Sequence, residues 1–416
     1  MMVMFFSTPC TLLPAFGGFM PQALEDIKVL DLSRILAMPY CSMMLGDLGA
    51  QIIRVERPGM GDETRQWGPP WKGDQSAYYL SINRNKKSIT VDLKKKQGQE
   101  IIRRLAARSD ILLENFLPGT LAEMGLGYEQ IKAVNPKIIY ASVTGYGQTG
   151  PYKNQPGWDF IIQAQGGVMS ITGEPDGPPT KVGVAIVDIT AGFFACSAIL
   201  AALHYREKTG VGQHIDIALL DTQVAWLANQ AGNYLVSGKP PGRLGNAHPN
   251  IVPYETFRAK DGVYIALGVG SNNQWQKFCA LAHLEHLLND PRYATNPKRV
   301  ENRKDLVAYL QQVFLQKTSE EWLKILTEAE IPNAPINTLD RVFADPQVRA
   351  RDMLVEVEHP VGGKYQVVGS PMKLSETPVQ YRIPPPFLGE HTEEVLREIL
   401  GFSPAEIARL REEKAI

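Results

Sequence analysis

Between Lys28 and Val143 the chain repeats one unit, a short β-branched or apolar run followed by a longer amphipathic stretch. The runs are VLDL (Val29 to Leu32), IIRVE (Ile52 to Glu56), SITVDL (Ser88 to Leu93), ILLENF (Ile111 to Phe116) and IIYASV (Ile138 to Val143). Within Gln99 to Arg108, Ile101, Ile102, Leu105 and Ala106 recur at helical spacing and fall on one face. An antiparallel pair needs only a tight turn, whereas a parallel pair needs a crossover of a dozen or so residues, usually a helix. The repeat therefore predicts a mostly parallel sheet covered by helices on both sides, the open α/β class.

Past Thr144 the texture changes. A Gly/Pro-rich region leads into the apolar stretch Lys181 to Tyr205, and another short strand is expected at Ile215 to Leu219. Lys239 to Pro253 holds four Pro and two Gly, which reads as a linker or active-site loop opening a second unit. That unit is expected to carry a strand at Tyr264 to Gly270 and helices at Gln274 to Leu284, Lys304 to Gln316 and Ser319 to Ala329. Strand patterns return at LVEVEH and KYQVVG, and two helices follow Pro384 to Pro386. The expected organisation is a disordered leader at 1–20, a first part of a large domain at 21–238, a linker loop and smaller α+β domain at 239–342, and a return to the large domain at 343–416.

Composition excludes several function classes. Lys plus Arg (43) balance Asp plus Glu (44), so no global field draws the chain to nucleic acid or an anionic membrane. Any bound anion must be met by local charge. Cys10, Cys41, Cys196 and Cys279 share no metal spacing and read as reduced, buried thiols, which points to the cytoplasm, with the mitochondrial matrix as the alternative. His283 and His286 lack the further ligands of a zinc set, and no metal is expected. Met1 to Met20 carries no Lys, Arg, Asp or Glu and fits neither a transit peptide nor a secretory signal. In Val182 to Tyr205, Asp188 and Thr190 leave an uninterrupted run short of the roughly 20 residues a bilayer requires. A core helix is expected there, without a membrane.

Three features bear on chemistry. Gly145, Gly147 and Gly150 form a G-x-G-x-x-G after a predicted strand, but Pro151, Pro156 and Gly157 follow where a dinucleotide fingerprint needs a helix. The loop, with Tyr146, is read instead as a backbone cradle for an acyl group. Arg84 to Arg108 holds nine basic residues, Lys86, Lys87 and Lys94 among them, against Asp92 and Glu100. A small polyphosphate would need only two or three of these charges, with Arg57 and Arg65 as further candidates. Asp188 lies in an apolar run that precedes a stretch rich in small residues. It is either a helix N-cap or a carboxylate nucleophile made reactive by poor solvation.

Taken together, VERPGMGDETR (Val55 to Arg65), NRNKKSITVDL (Asn83 to Leu93), ENFLPGTLAEMGLGY (Glu114 to Tyr128), ASVTGYGQTGPY, PGWDF, VAIVDITAG, REKTGVGQ (Arg206 to Gln213) and LGEHT (Leu388 to Thr392) resemble the class III CoA-transferases from about Leu24 onward. Among members, the combination of NRNKKSI, AHPNIVPYETF and PPPFLGEHT most resembles the dicarboxylate branch, which exchanges CoA between succinyl-CoA and glutarate. The resemblance implies a Rossmann-like large domain made from both chain ends, a small inserted domain, and a homodimer of interlocked rings. It implies Asp188 as covalent nucleophile, with CoA as part of the substrate and no bound cofactor. Trp158 and Asp159 would line the acyl side, and the loop Gly245 to Pro253 would close over it. Leu36, Ala37, Arg57, Val91, Lys94, Asn115, Phe116 and Met124 would surround CoA. Many members carry basic residues where this chain has Leu117 and Glu123, which shifts weight to Arg57, Lys94 and the Lys86/Lys87 pair. Arg243 and His248 are the candidates for the distal carboxylate of a diacid.

Two alternatives are weighed. The related 2-methylacyl-CoA racemases place a catalytic His where this chain has Trp158, which cannot accept a proton at neutral pH. An acyl-CoA-binding module without turnover predicts a lost nucleophile, yet Asp188 is present.

Overall fold

The computed structural model describes residues 22–359 and 362–416, so the leader and Cys10 lie outside the described residues. The β-branched runs pair as the repeat requires. Strands β1 (Lys28–Asp31), β2 (Gln51–Glu56), β3 (Lys86–Thr90), β4 (Ile111–Glu114), β5 (Ile139–Thr144) and β6 (His214–Ala218) form one sheet in the order β3-β2-β1-β4-β5-β6. Every neighbouring pair is parallel, and Val29 of β1 stands between Ile52 and Ile111. This is the doubly wound order, and its direction reverses between β1 and β4.

The large domain's helices in its first part include α1 (Ala37–Asp47), α2 (Lys96–Ala106), α3 (Asp159–Gln165) and α4 (Ile186–Thr209). Alternation along the strands sorts the core into two layers. Val29, Ile52, Ile111 and Ala141 face α1 and α4, while Leu30, Ile53, Leu112 and Tyr140 face α2 and the C-terminal residues Val395, Leu396 and Ile407. The small residues of α4 let it approach α1 closely: a Cβ on Gly192 would stand 2.6 Å from the Ala37 carbonyl oxygen. With 24 residues, α4 outruns the uninterrupted apolar run of the sequence, and Ala191, Ala195, Cys196 and Ile199 bury its inner side. Cys41, Cys196 and Cys279 are free, buried thiols.

A separate core lies within residues 252–331. Strands β7 (Tyr254–Arg258), β8 (Tyr264–Gly268) and β9 (Asn333–Pro335) form an antiparallel sheet in the order β9-β8-β7. Helices α5 (Asn272–Leu281), α6 (Arg303–Phe314) and α7 (Ser319–Glu328) contribute to the core, where the rings of Phe257 and Phe314 stack at 4.5 Å. Strands β10 (Leu354–His359) and β11 (Gly363–Val368) pair only with each other, as an antiparallel ribbon. The C-terminal end thus completes the large domain with helices α8 (Thr392–Glu398) and α9 (Pro404–Glu412), not with strands of the main sheet.

Candidate active site

Where the sheet order reverses, the ends of β1 and β4 leave a crevice, the usual ligand position in open α/β sheets. Its two lips are stitched together. The Arg34 N–H donates to Asn115 Oδ1 at 2.9 Å, and Asn115 Nδ2 donates to the Arg34 carbonyl at 2.7 Å. Two adjoining cavities open here and share Arg34 and Phe116, with the Arg34 guanidinium 4.8 Å from the Phe116 ring centre.

The first cavity is lined by Arg57, Val91, Lys94, Phe116 and Met124, all of which the sequence reading assigned to CoA. The second gathers Leu36, Ala37, Asn115, Gly145, Trp158 and Asp188. Two glycines make this convergence possible. A Cβ on Gly145 would lie 2.5 Å from the Gly157 Cα, so only glycine lets the two loops touch backbone to backbone. No helix begins after Gly150 until Asp159, which disposes of the dinucleotide fingerprint.

Asp188 is half-buried in the first turn of α4, but it is not the N-cap: Ala185 holds that position. The capping task falls to Asp159, whose Oδ1 accepts the Val187 N–H at 2.8 Å while its Oδ2 accepts Gln163 Nε2 at 2.6 Å. Asp159 therefore stands behind the site, holding the start of α4. Among the described residues no hydrogen-bond donor reaches the Asp188 carboxylate. Burial raises its pKa, and the neighbouring Asp159 charge adds to the effect, bringing it to about 7. The position in a first helical turn partly favours the anion. Tyr78 feels the same surroundings: burial, then the charges of Asp188, Asp159 and Asp62, push its hydroxyl to about 12. Trp67 bridges this group, edge-on to Tyr78 and stacked with Trp158.

Several expected contacts are not brought here. Lys86 and Lys87 open β3, whereas the crevice lies beyond the other end of the strands, and alternation points the two side chains to opposite faces. Lys86 is fully buried, with Nζ on the Pro39 carbonyl at 2.7 Å and Asn83 Oδ1 at 3.0 Å. Burial, and then the Arg54 charge, lower its pKa to about 7 against the pull of Asp31, Asp62 and Glu56. Lys87 pairs with Glu394 of α8. Arg65 is taken by Glu56, and the guanidinium of Arg104 in the basic run holds the Leu400 carbonyl. Arg243 spends its donors on the carbonyls of Glu174, Pro175 and Gly177, so it clasps a loop. His248 accepts the Asn250 N–H at Nδ1 and packs against Tyr254. Tyr146 donates to Gln165, and the Gly147 N–H closes on Thr144 Oγ1. None of these lines either cavity.

The sequence reading passed over Arg34, Tyr78 and Asp62. Arg34 could have been found, because it follows β1 directly in the first strand-to-helix turn of a doubly wound pattern. Tyr78 and Asp62 carry no local signal.

The model of CoA-transferase family III matches residues 24–392. Succinyl-CoA:glutarate CoA-transferase from Homo sapiens is 46% identical over 389 residues, 94% of this chain and 89% of the relative. Succinate–glutarate CoA-transferase from Agrobacterium fabrum is 46% identical over 382 residues, covering 90% of this chain and 95% of that one. The crystal structure of a CAIB/BAIF family protein from Brucella suis superposes with a TM-score of 0.80 at 44% identity, covering 91% of this chain and 99% of that chain. A carboxylate beside a cavity that bears Arg57 and Lys94 at the switch point, together with these likenesses, leads to one assignment: the chain belongs to CoA-transferase family III and is an enzyme of that class.

Proposed function

We propose that this CoA-transferase moves CoA from succinyl-CoA to a dicarboxylate of the glutarate type through a covalent intermediate on Asp188. One observation carries the reading: a carboxylate without a hydrogen-bond partner among the described residues, lifted to about 7, lines a cavity that shares Arg34 and Phe116 with one that bears Arg57 and Lys94. A CoA thioester needs both, cations for its phosphates and a nucleophile at its acyl carbon.

The ionised Asp188 attacks the donor thioester carbonyl. The carbon–sulfur bond breaks, leaving a mixed anhydride and CoA thiolate. The thiolate attacks the Asp188 carbonyl carbon and expels the donor acid as its carboxylate, so CoA is now held as an aspartyl thioester. The acceptor carboxylate attacks that thioester and releases thiolate, which takes the acceptor acyl carbon and frees Asp188. One thioester replaces another, so the overall exchange is close to neutral in energy. Each addition creates an oxyanion. Leu36 and Ala37 open α1 with no side-chain cap, which leaves first-turn N–H groups to stabilise that charge.

The relatives named for succinyl-CoA and glutarate support the diacid pair. The helix Ala228–Ser237 buries no residue, and Leu235 and Val236 are 78% and 91% exposed, which supports the interlocked homodimer implied by the family resemblance.

The test is a panel of acyl-CoA donors and carboxylate acceptors followed by mass spectrometry, with hydroxylamine trapping during turnover. Succinyl-CoA with glutarate is expected to turn over best, and the hydroxamate is expected on Asp188. Turnover with a tag elsewhere removes the covalent assignment. Equal kinetics for glutarate and butyrate removes diacid selectivity.

A further inference from the structure

The turn joining β1 to α1 is fastened residue by residue. The Ser33 N–H donates to Asp31 Oδ1 at 2.9 Å, Arg34 is clamped by Asn115, and Lys86 Nζ reaches the Pro39 carbonyl. Between them Ile35 sits at a φ of 69°. A β-branched side chain at positive φ crowds its own backbone, so the conformation persists only where the surroundings impose it.

Asp62 imposes it. Its Oδ2 accepts the Ile35 N–H at 2.9 Å, across 27 residues of sequence. Arg54 Nη2 donates to that same oxygen at 2.5 Å, and the other oxygen accepts the Thr64 N–H at 2.8 Å. The Asp62 N–H is in turn held by Glu56 Oε2 at 3.0 Å. Arg54 and Asp62 are 0% and 3% exposed, so the carboxylate is almost wholly withdrawn from solvent although Asp62 borders the first cavity. Ile35 itself stands between Arg34, which lines both cavities, and Leu36 and Ala37, which line the Asp188 cavity. Relaxation of Ile35 to a negative φ would redirect the backbone on both sides of it, including the first-turn N–H groups of α1.

We propose that Asp62, anchored by Arg54, is a positioning residue for CoA transfer: by holding the strained Ile35 turn it sets the wall of the cavity that carries Asp188. The inference rests on the transferase reading above, and its test separates the two.

A double-mutant cycle compares the wild type, Asp62→Ala, Ile35→Gly and the double variant, reading kcat, KM for acyl-CoA and amide hydrogen exchange across residues 35–37. Asp62→Ala is expected to lower kcat about 30-fold, the scale of a misplaced reacting group, while KM changes less than about threefold. Exchange at residues 35–37 should rise. Ile35→Gly loses some turnover alone, but in the Asp62→Ala background it should restore about fivefold or more, because glycine adopts positive φ unaided. A role confined to holding the fold would lower the melting temperature and leave kcat per folded molecule unchanged, and that result overturns the inference. A kcat loss that glycine does not relieve overturns it as well. If Asp62→Ala does not fold, Asp62→Asn replaces it in the same cycle, with the same two outcomes. A wild type without turnover sinks the transferase reading alone, since exchange still reports whether Asp62 holds the turn; unchanged exchange in Asp62→Ala sinks the inference.

Discussion

At the end of β2, Glu56 takes two hydrogen bonds from Arg65, at 2.8 and 2.7 Å, and a third from the Ser88 hydroxyl at 2.7 Å. In the adjoining cavity, Asp188 meets no donor among the described residues. Burial acts on both carboxylates in the same direction, yet the outcomes diverge. For Glu56, burial would raise the pKa, but the Arg65 hydrogen bonds and the charges of Arg54 and Arg65 hold it at about 2. For Asp188, burial is reinforced by Asp159 and the pKa reaches about 7. The protein therefore uses one chemical group in two ways. A carboxylate with matched cations cannot be drawn into a reaction, whereas one left unmatched is basic enough to attack a thioester and acidic enough to ionise near neutrality.

The largest break in this comparison is Asp188→Asn. Loss of the proposed nucleophile should cost about 10⁴-fold or more in turnover. Stability should move the other way, because no hydrogen bond or cap is lost and a poorly compensated charge is removed. The sign follows from linkage. The folded pKa of about 7 exceeds the unfolded carboxylate value, so ionised Asp188 weakens the native state as pH rises from about 4 to 7, and the penalty is constant above that. Asp188→Asn should thus gain on the order of 1 kcal/mol over the wild type at pH 8 and nothing near pH 3. Urea melts at the two pH values check this; a variant less stable at pH 8 would return Asp188 to a structural role.

Next in size is Arg54→Met. It strips the cation from Asp62 at 2.5 Å and from Asp31 at 3.5 Å, leaving buried charge without its partner. Such a loss typically costs about 3–5 kcal/mol, and a loss of less than about 1 kcal/mol in unfolding free energy from urea melts would show that the network is not what holds this side rigid. The pH signature is opposite to that of Asp188. Glu56, depressed to about 2, contributes stability that is present above its unfolded value near 4.5 and is lost as pH falls from there towards 2.

The two sides also differed in legibility. The parallel sheet could be read from the spacing of β-branched runs, because sheet alternation and helical crossovers are local properties of the chain. The start of β3 could not. Lys86 and Lys87 look like solvated loop residues, and only partners from β1, β2 and α1 make Lys86 an interior group. LVEVEH and KYQVVG were read correctly as strands, but their patterns do not say that the ribbon pairs with itself. In the site, Asp188 was visible as an acid in an apolar run, and the family resemblance gave it a role. Asp62 works through a contact 27 residues away, and no periodicity records such a distance.

A smaller effect is expected from the cavity that bears Arg57 and Lys94. Arg57→Ala and Lys94→Ala should each raise KM for acyl-CoA by about tenfold with kcat little changed, since they would meet phosphates far from the reacting carbon. The increase should shrink in high salt. A fall in kcat at unchanged KM would mean that these residues serve the chemistry and that the separation into a binding cavity and a reacting one is wrong.

The smallest effect tests the cause of the Asp188 shift. Under the proposed mechanism turnover requires ionised Asp188, so kcat/KM of the wild type should rise about tenfold per pH unit below 6 and level off above about 7. Asp159→Asn removes the like charge and keeps an oxygen for the Val187 N–H, while the acceptor for Gln163 Nε2 is lost. Burial, the larger cause, is untouched. The acid limb should therefore move down by less than about one pH unit, with the plateau rate nearly kept. A shift of two units or more would make Asp159, not burial, the source of the raised pKa. No shift at all would mean that Asp159 adds nothing to the desolvation of Asp188, and that the difference between the two carboxylates is wholly the presence or absence of arginine.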